Sequence, residues 1–386
     1  MDFEGEICFD VSDFLSQKCM KLNCSQDELA AALSVVNRAV SPNNTLPVLN
    51  NILLKAEGKK LFLSATNLEV AISASFEADV ENEGTLTVPA KVLTSYVMLL
   101  GSDKVKLSVI NGTTLEVKTK GSDTKMKGIS SEEFPLLPKL DKPDSFMLPV
   151  KDLSKAIEQV VFAASTNISR PVLTGIYWQI TGKEMKLAAT DSYRLGEKTI
   201  ELEKDVGLDI KFILPSKTAH ELAKVLSGTD AKEIEVKVTK SQIKFTVDGV
   251  ELLSRLIEGN YPDYGKILPS ESKTTAALGT EDMMLGLKKV SVIVKDNSNN
   301  VKLKTEKGKV VISSDETQVG EGFVELEADT KGESMEVALN VQYLLDVLSH
   351  VDDNKVNLGL NDALSPVKIV SAKPSGTLHI IMPLKV

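Results

Sequence analysis

The stretch Leu29-Ala30-Ala31-Ala32-Leu33-Ser34-Val35-Val36-Asn37-Arg38-Ala39-Val40 places Leu29, Ala32, Leu33, Val36, Ala39 and Val40 at offsets 0, 3, 4, 7, 10 and 11. Those offsets draw one apolar face along a helix. Leu153, Ala156, Ile157, Val160, Ala163 and Ala164 repeat them 124 residues later, and Met283, Gly286, Leu287, Val290, Ile293 and Val294 repeat them after 130 more. One such helix says little. Three at domain-sized spacing say that a single module was used three times, and tandem arrays of one scaffold build a surface, an arc or a ring.

Other landmarks keep the same step. Thr66-Asn67, Thr190-Asp191 and Ser314-Asp315 each follow a strand-like run, at steps of 124 and 124. Val88-Pro89, Leu214-Pro215 and Leu339-Asn340 each open a second helix, at steps of 126 and 125. Lys104 to Val109, Glu233 to Val238 and Lys355 to Leu360 alternate apolar and polar side chains, as half-buried strands do. Phe134-Pro135 and Tyr261-Pro262 close the first two copies. A repeat of this length can own a core, since domains typically run about 100–150 residues. Polar stretches at Asp141-Lys142-Pro143-Asp144 and Pro269-Ser270-Glu271-Ser272-Lys273 mark the joins. The expected organisation is an extension over 1–19, then modules over 20–142, 143–270 and 271–386.

Composition sets the remaining bounds. The chain has 386 residues, 42% hydrophobic and 26% charged, ordinary values for a globular protein. No apolar run approaches the roughly 18–20 residues of a membrane-spanning helix. Cys8, Cys19 and Cys24 all lie near the start of the chain, so no disulfide can staple modules two or three; a reducing, cytoplasmic setting is expected. The net charge of −9 counts against nucleic acid only if evenly spread, because a large chain can still carry a basic inner face. The first 19 residues hold Asp2, Glu4, Glu6, Asp10 and Asp13 against Lys18, without the basic start and apolar stretch of a secretory signal. They are expected to lie outside the fold, with Met20 reading as an initiator.

Within a module the order reads strand, helix, several strands, helix, several strands. In the first, Ser25-Gln26-Asp27-Glu28 has the form of a capping box opening a helix over 26–40. Pro89 is expected in the first turn of a helix over 90–100 that Gly101 ends. Asn111-Gly112 between strands 104–110 and 114–119 is a hairpin signal. The fold class is α+β, with two helices packed on antiparallel sheet in each of three copies.

Catalytic parts are sparse. His220, His350 and His379 stand near no nucleophile motif and have no metal-ligand spacing, and there is no phosphate-cradling glycine loop. Neither an enzyme nor a cofactor or metal is expected. Two stretches stand out: Thr190-Asp191-Ser192-Tyr193-Arg194-Leu195, and the terminal Leu378-His379-Ile380-Ile381-Met382-Pro383-Leu384-Lys385-Val386. The second stays apolar where chain ends are usually polar, which suggests a surface for something else.

These stretches, with Thr45-Leu46-Pro47-Val48-Leu49, Tyr261-Pro262-Asp263-Tyr264 and Asn340-Val341-Gln342-Tyr343-Leu344-Leu345-Asp346-Val347-Leu348, resemble the bacterial DNA polymerase III beta subunits, the sliding clamps. The resemblance covers residues 20–386. It implies a DNA-clamp fold of three clamp modules, and a head-to-tail homodimer that closes into a ring around double-stranded DNA, read without regard to sequence. It also implies a groove between modules two and three for short linear motifs of the polymerase III alpha subunit, the clamp loader, other polymerases and repair factors. By resemblance that groove comprises Leu173, Thr190, Ser192, Tyr193, Arg194, Leu195, Pro262, Lys266, Ile267, Asn340, Tyr343, Leu364, Ile380, Ile381, Met382, Pro383 and Leu384. Methionine suits such a lining, since its unbranched thioether repacks around different ligands. Ser192-Tyr193 replaces the commoner Gly-His, and Lys266 replaces an arginine and so lacks its planar fork.

The DNA-facing positions match less closely. Pro42-Asn43-Asn44 stands where the family often has Arg-Pro, and Pro171-Val172 where it has an aromatic pair. Arg38, Asn167, Arg170, Lys217, Lys224, Lys288 and Lys289 are the expected DNA-facing residues. Weak, exchangeable phosphate contacts would suit a ring that slides. Val292 and Ile293 in module three, opposite Met126 in module one, are the expected dimer contacts. Two rival readings come from other classes. One is a peptide-binding scaffold that does not encircle DNA; the other is an enzyme using Asp191 and Arg194 in an inter-module cleft.

Overall fold

The computed structural model describes residues 19–40, 46–101, 104–294, 299–316 and 320–384. Pro42-Asn43-Asn44, Thr45, Lys385, Val386 and the leader before Cys19 lie outside the described residues. Six α-helices fall among them: α1 (Gln26–Val36), α2 (Ala90–Met98), α3 (Val150–Val161), α4 (Ser216–Leu226), α5 (Thr280–Val294) and α6 (Val341–Leu348). They pack in the pairs α1 with α2, α3 with α4 and α5 with α6, as the repeat requires. Each repeated apolar face turns inward: Leu29, Leu33 and Val36, then Leu153, Ile157 and Val160, then Met283, Leu287 and Val290 are all buried.

The chain forms two compact units. One holds the described residues through Ser145 together with Ile234–Arg255. The other holds Phe146–Glu233 and the residues from Leu256 onward. This partition cuts across the sequence repeat for a physical reason. The strand Val250–Arg255, late in the second copy, pairs antiparallel with Val70–Glu77 of the first, Ser254 facing Val70. The first unit therefore carries one continuous run of strands: Glu233–Val238, Gln242–Val247, Val250–Arg255, Val70–Glu77, Lys60–Thr66, Asn51–Glu57, Gly84–Pro89. Its second sheet has five strands in the order Asp79–Asn82, Lys21–Ser25, Lys104–Ile110, Thr114–Thr119, Ser122–Lys127.

The second unit repeats the device. Arg194–Glu201 pairs with Thr377–Ile381, Arg194 facing Ile381, and the two join into a nine-stranded sheet. Its order is Asp209–Pro215, Gly175–Thr181, Glu184–Thr190, Arg194–Glu201, Thr377–Ile381, Val367–Ser371, Lys355–Leu360, Thr274–Gly279, Asp329–Lys331. A four-stranded sheet, Phe323–Glu327, Lys309–Ser313, Asn300–Glu306, Met335–Asn340, completes it.

Local expectations are met in part. The Asn111-Gly112 hairpin forms, with both residues at positive φ (49° and 74°), where asparagine and glycine are the favoured types. The capping box at Ser25 does not form. Ser25 takes the extended N-cap backbone, but its side chain accepts no cap bond. The neighbouring Gln26 is buried instead and donates to the Val97 carbonyl at 2.8 Å, tying α1 to α2. α1 ends at Val36 and tightens into a short 3-10 turn over Asn37–Ala39. Pro89 is the N-cap of α2 rather than a first-turn residue, and the helix stops at Met98 with Leu99 as a right-handed C-cap, short of Gly101. Pro149 and Pro215 hold the same N-cap place in α3 and α4. Each strand thus passes straight into its helix.

One turn is built twice. Thr66 Oγ1 donates to the Val70 carbonyl at 3.0 Å and accepts from Leu68 N at 3.0 Å. Asn67 Oδ1 accepts from Glu69 N and Val70 N. Thr190, Asp191, Ser192, Tyr193 and Arg194 reproduce all four bonds, 124 residues on. The neighbouring strand end is fixed likewise: Arg255 N donates to the Glu69 carbonyl, and Met382 N to the Tyr193 carbonyl. The middle residue is left-handed in both copies, Leu68 at φ 74° and Ser192 at φ 79°. A leucine there, half exposed at 51%, is strained by its Cβ. Leu68→Asn keeps the side-chain length moderate and tolerates the left-handed region. It is expected to raise unfolding stability by about 1 kcal/mol, read as a higher denaturant midpoint; an unchanged or lower midpoint would contradict the strain.

Candidate functional site

The second copy of the turn carries Asp191 and Arg194 where the first has the uncharged Asn67 and Val70. Asp191 uses Oδ1 for the turn, which leaves Oδ2 to accept from Arg194 Nε at 3.1 Å. Arg194 Nη2 donates to the Phe162 carbonyl at 2.8 Å, at the C-terminal end of α3. Arg194 Nη1 donates to the Asp346 carboxylate on α6. Its guanidinium carbon lies 4.6 Å from the centre of the Tyr343 ring and 5.4 Å from that of Phe162. The Arg194 side chain is only 12% exposed, so these charge-assisted bonds and ring contacts are poorly screened. One arginine thereby ties a turn of the second copy to a helix of the third.

α6 is placed by its cap. Asn340 Oδ1 accepts from Gln342 N and Tyr343 N. Tyr343 and Asp346, three residues apart, then share a face, and Gln342 Nε2 donates to Asp346 Oδ1 at 2.7 Å. The apolar chain end runs alongside. Met382 N donates to the Tyr193 carbonyl and Leu384 N to the Ala338 carbonyl, both at 2.8 Å. Met382, Pro383 and Leu384 are half-buried. The end whose apolar character suggests a surface for something else is pinned on two sides.

The residues expected to line the groove divide into a floor and a rim. Leu173, Thr190, Leu195, Ile380 and Ile381 are all buried. Strand pairing turns Thr190, Leu195, Ile380 and Ile381 inward, and Leu173 is buried in the 3-10 turn Pro171–Thr174, so these five form the floor. Arg194, Asn340 and Tyr343 are half-buried, while Ser192, Pro262 and Lys266 are exposed. Large apolar side chains stand out at Tyr193 (61% exposed), Ile267 (42%) and Leu364 (68%). Lys266 pairs with Asp263 at 3.1 Å. Asn340 is committed to its helix cap.

A polar network underlies this surface. Thr377 Oγ1 donates to Gln159 Oε1 at 3.1 Å, and Gln159 Nε2 to Asp352 at 2.8 Å, which also pairs with Lys155 at 2.7 Å. Lys198 Nζ donates to the Ser375 carbonyl and to Thr377 Oγ1; burial lowers its pKa. Gly196 permits the close approach of this strand to α3, since a Cβ there would sit 3.3 Å from Val160 Cα. His379 is fully buried with no hydrogen-bond partner on either ring nitrogen among the described residues. Its ring lies 5.6 Å from that of Phe162. Burial pushes its pKa down to about 3, with His350 and Lys198 adding repulsion.

The other expected sites fare unevenly. Lys217, Lys288 and Lys289 are exposed on α4 and α5. Lys224 is exposed but paired with Glu221 at 3.0 Å. Arg170 is exposed and reaches Ser192 Oγ at 3.4 Å. Asn167 spends its carbonyl on Ser169 N, and Arg38 is half-buried in the 3-10 turn. Val292 is 75% exposed near the end of α5, with Ile293 beside it and half-buried. Met126 is 6% exposed, its side chain turned into its own core. What its strand Ser122–Lys127 offers is a backbone edge, because it is last in its sheet. Asp191 and Arg194 are spent on the turn and the tie, which leaves the enzyme reading without its proposed pair. Among the described residues no three His, Cys, Asp or Glu side chains adjoin to hold a metal, and no helix is long and apolar enough to cross a membrane. Sequence reading missed Phe162 and Gln159 as parts of this region, and gave Asp346 and His379 no role although both lie in the stretches it quoted. Asp346 also left a trace in its spacing, one helical turn beyond Tyr343.

Comparison with known proteins places these features. Three domain profiles of the DNA polymerase III beta subunit match in order: the N-terminal domain over residues 20–138, the central domain over 147–263 and the C-terminal domain over 265–385. The beta sliding clamp of Synechocystis is 29% identical over 388 aligned positions, covering 95% of this chain and 99% of the relative. The sliding clamp of Bartonella birtlesii bound to griselimycin superposes with a TM-score of 0.90 at 28% identity, and that of Bacillus subtilis with 0.90 at 25%. Both superpositions cover 95% of this chain and all of the other.

His379 gives the site a pH signature. The unfolded chain takes up a proton on this ring as pH falls through about 6.5, whereas the native ring does so only near 3. Stability from this group is therefore complete above about 6.5 and is lost on acidification, by about 1.4 kcal/mol per pH unit across the window. His379→Leu should flatten the wild-type decline in unfolding free energy between pH 6 and 4 by that slope. Parallel profiles for the two proteins would contradict it.

Proposed function

Because the chain belongs to the DNA polymerase III beta subunit family, the sliding clamps, we propose that it encircles duplex DNA as a closed homodimer and tethers replication and repair proteins. These partners dock short linear motifs in the groove beside Arg194. The observation that carries this reading is the pinned apolar chain end. Met382, Pro383 and Leu384 are held between Tyr193 and Ala338, with Tyr193, Ile267 and Leu364 exposed. A rigid scaffold presenting adaptable apolar side chains is the form that peptide anchors fit. As an accessory subunit the protein works in the cytoplasm without chemistry of its own.

Charge and sheet edges support the ring. The six helices, which face DNA in the proposed ring, hold seven basic residues (Lys91, Lys151, Lys155, Lys217, Lys224, Lys288, Lys289). Against them stand eight acidic ones (Asp27, Glu28, Asp152, Glu158, Glu221, Glu281, Asp282, Asp346), a net of −1. Such a face grips phosphate weakly, so retention rests on closure rather than on counterion release. The strands Ser122–Lys127 and Phe323–Glu327 each end a sheet, and sheet edges offer backbone groups for a partner strand. They belong to different modules, as a head-to-tail dimer needs. Val292, Ile293 and the 71% exposed Phe323 would cover that joint with apolar surface.

A peptide with Gln-x-x-Leu-x-Phe anchors, titrated calorimetrically, tests the groove. Micromolar affinity corresponds to about −8 kcal/mol, and losing one anchor costs about 2 kcal/mol. Deleting Met382 to Val386 should therefore weaken binding beyond detection while the thermal melt moves little, and Met382→Ala should weaken it about tenfold or more. Full affinity in both variants would refute the groove.

A further inference from the structure

We propose that Asp346 is a positioning residue for this groove: without touching the bound peptide, it sets the affinity by holding Arg194 beneath the Tyr343 ring. The inference rests on the groove reading above and gives a role to Asp346, which the resemblance covers but does not count among the groove residues.

The internal repeat supplies the control. The first copy of the turn makes the same four backbone-fixing bonds with Asn67 and Val70 in place of Asp191 and Arg194. The turn therefore folds without a charge at either of those two positions. The guanidinium and its carboxylates are additions, and they occur in the copy beside the apolar chain end. Asp346 reaches across from the third copy to the second.

The geometry shows what this does. Asp346 Oδ2 accepts from Arg194 and Oδ1 from Gln342, so the carboxylate is occupied by the protein. Arg194 is held on its other sides by Asp191 and the Phe162 carbonyl, and it faces the ring of Tyr343. α6 has only 8 residues, too few to be stable by itself. The Arg194–Asp346 bond is its polar tie to the turn that carries Tyr193. Releasing it leaves Tyr343 and the Tyr193 turn free to shift against each other, and a groove that must be ordered on binding binds more weakly.

The test is a double-mutant cycle in the full chain, with the Gln-x-x-Leu-x-Phe peptide as probe. Asp346→Ala is expected to weaken binding about tenfold. Arg194→Ala should weaken it at least as much, and the double variant no further than Arg194→Ala alone. Asp346→Glu, which keeps the carboxylate, should recover part of the loss, a result that mere loss of packing would not give. If Asp346→Ala lowers the yield of folded protein, Asp346→Asn keeps the shape, and its binding should fall between wild type and alanine. Wild-type affinity in Asp346→Ala or Asp346→Asn, or strictly additive losses in the double variant, would overturn the proposal and leave the groove reading intact. Failure of the wild-type chain to bind the probe would end both.

Discussion

The structure depends on where its sheet edges go. A strand at an edge leaves a row of backbone donors and acceptors that must find partners or water. Here two such rows are closed by the next copy of the module: Val250–Arg255 onto Val70–Glu77, and Thr377–Ile381 onto Arg194–Glu201. These pairings turn separate repeats into continuous sheets. They also bring a tight turn and an outgoing strand end side by side, twice. The proposed groove beside Arg194 rests on that juxtaposition, since Met382 leaves the paired strand beside the Tyr193 carbonyl.

The repeated turn shows how one backbone solution is put to two uses. Threonine and an Asn/Asp side chain fix it in both copies through the same bonds. In the first copy the left-handed position holds a half-exposed leucine. In the second it holds a serine, and the adjoining residues add an arginine clasped by two carboxylates and two rings. Breaking a poorly solvated pair of this kind costs several kcal/mol when one partner is removed, although pairs of this kind need not stabilise the fold on balance. Its value here is geometric: it fixes the angle between a short helix and a turn.

Much of the fold was legible because the evidence for it is periodic. Apolar offsets gave the helices, alternation gave strands such as Lys104–Ile110 with Val105, Leu107 and Val109 inward, and Asn-Gly gave a hairpin. Short-range capping was less legible: Ser25 has the right type and spacing, yet Gln26 makes the tertiary bond that fixes the helix start. Burial within the groove was not legible. A resemblance transfers a residue's membership of a site but not whether its side chain is floor or rim, as Leu195 against Tyr193 shows. The burial of Met126 was not legible either, since which face of an edge strand turns inward is decided by the sheet it joins. Asp346 meets Arg194 across 152 residues of sequence, and no local pattern announces such a contact.

The nearly balanced charge of the helices makes retention on DNA a question of closure. The protein would be loaded by a bacterial clamp loader with ATP onto a nicked circular plasmid, passed over a gel-filtration column in high salt, and compared after the circle is cut once. Closure around DNA predicts that the protein stays with the intact circle in high salt and leaves when the DNA is made linear. Loss from the intact circle at high salt, or equal retention on both forms, would contradict it.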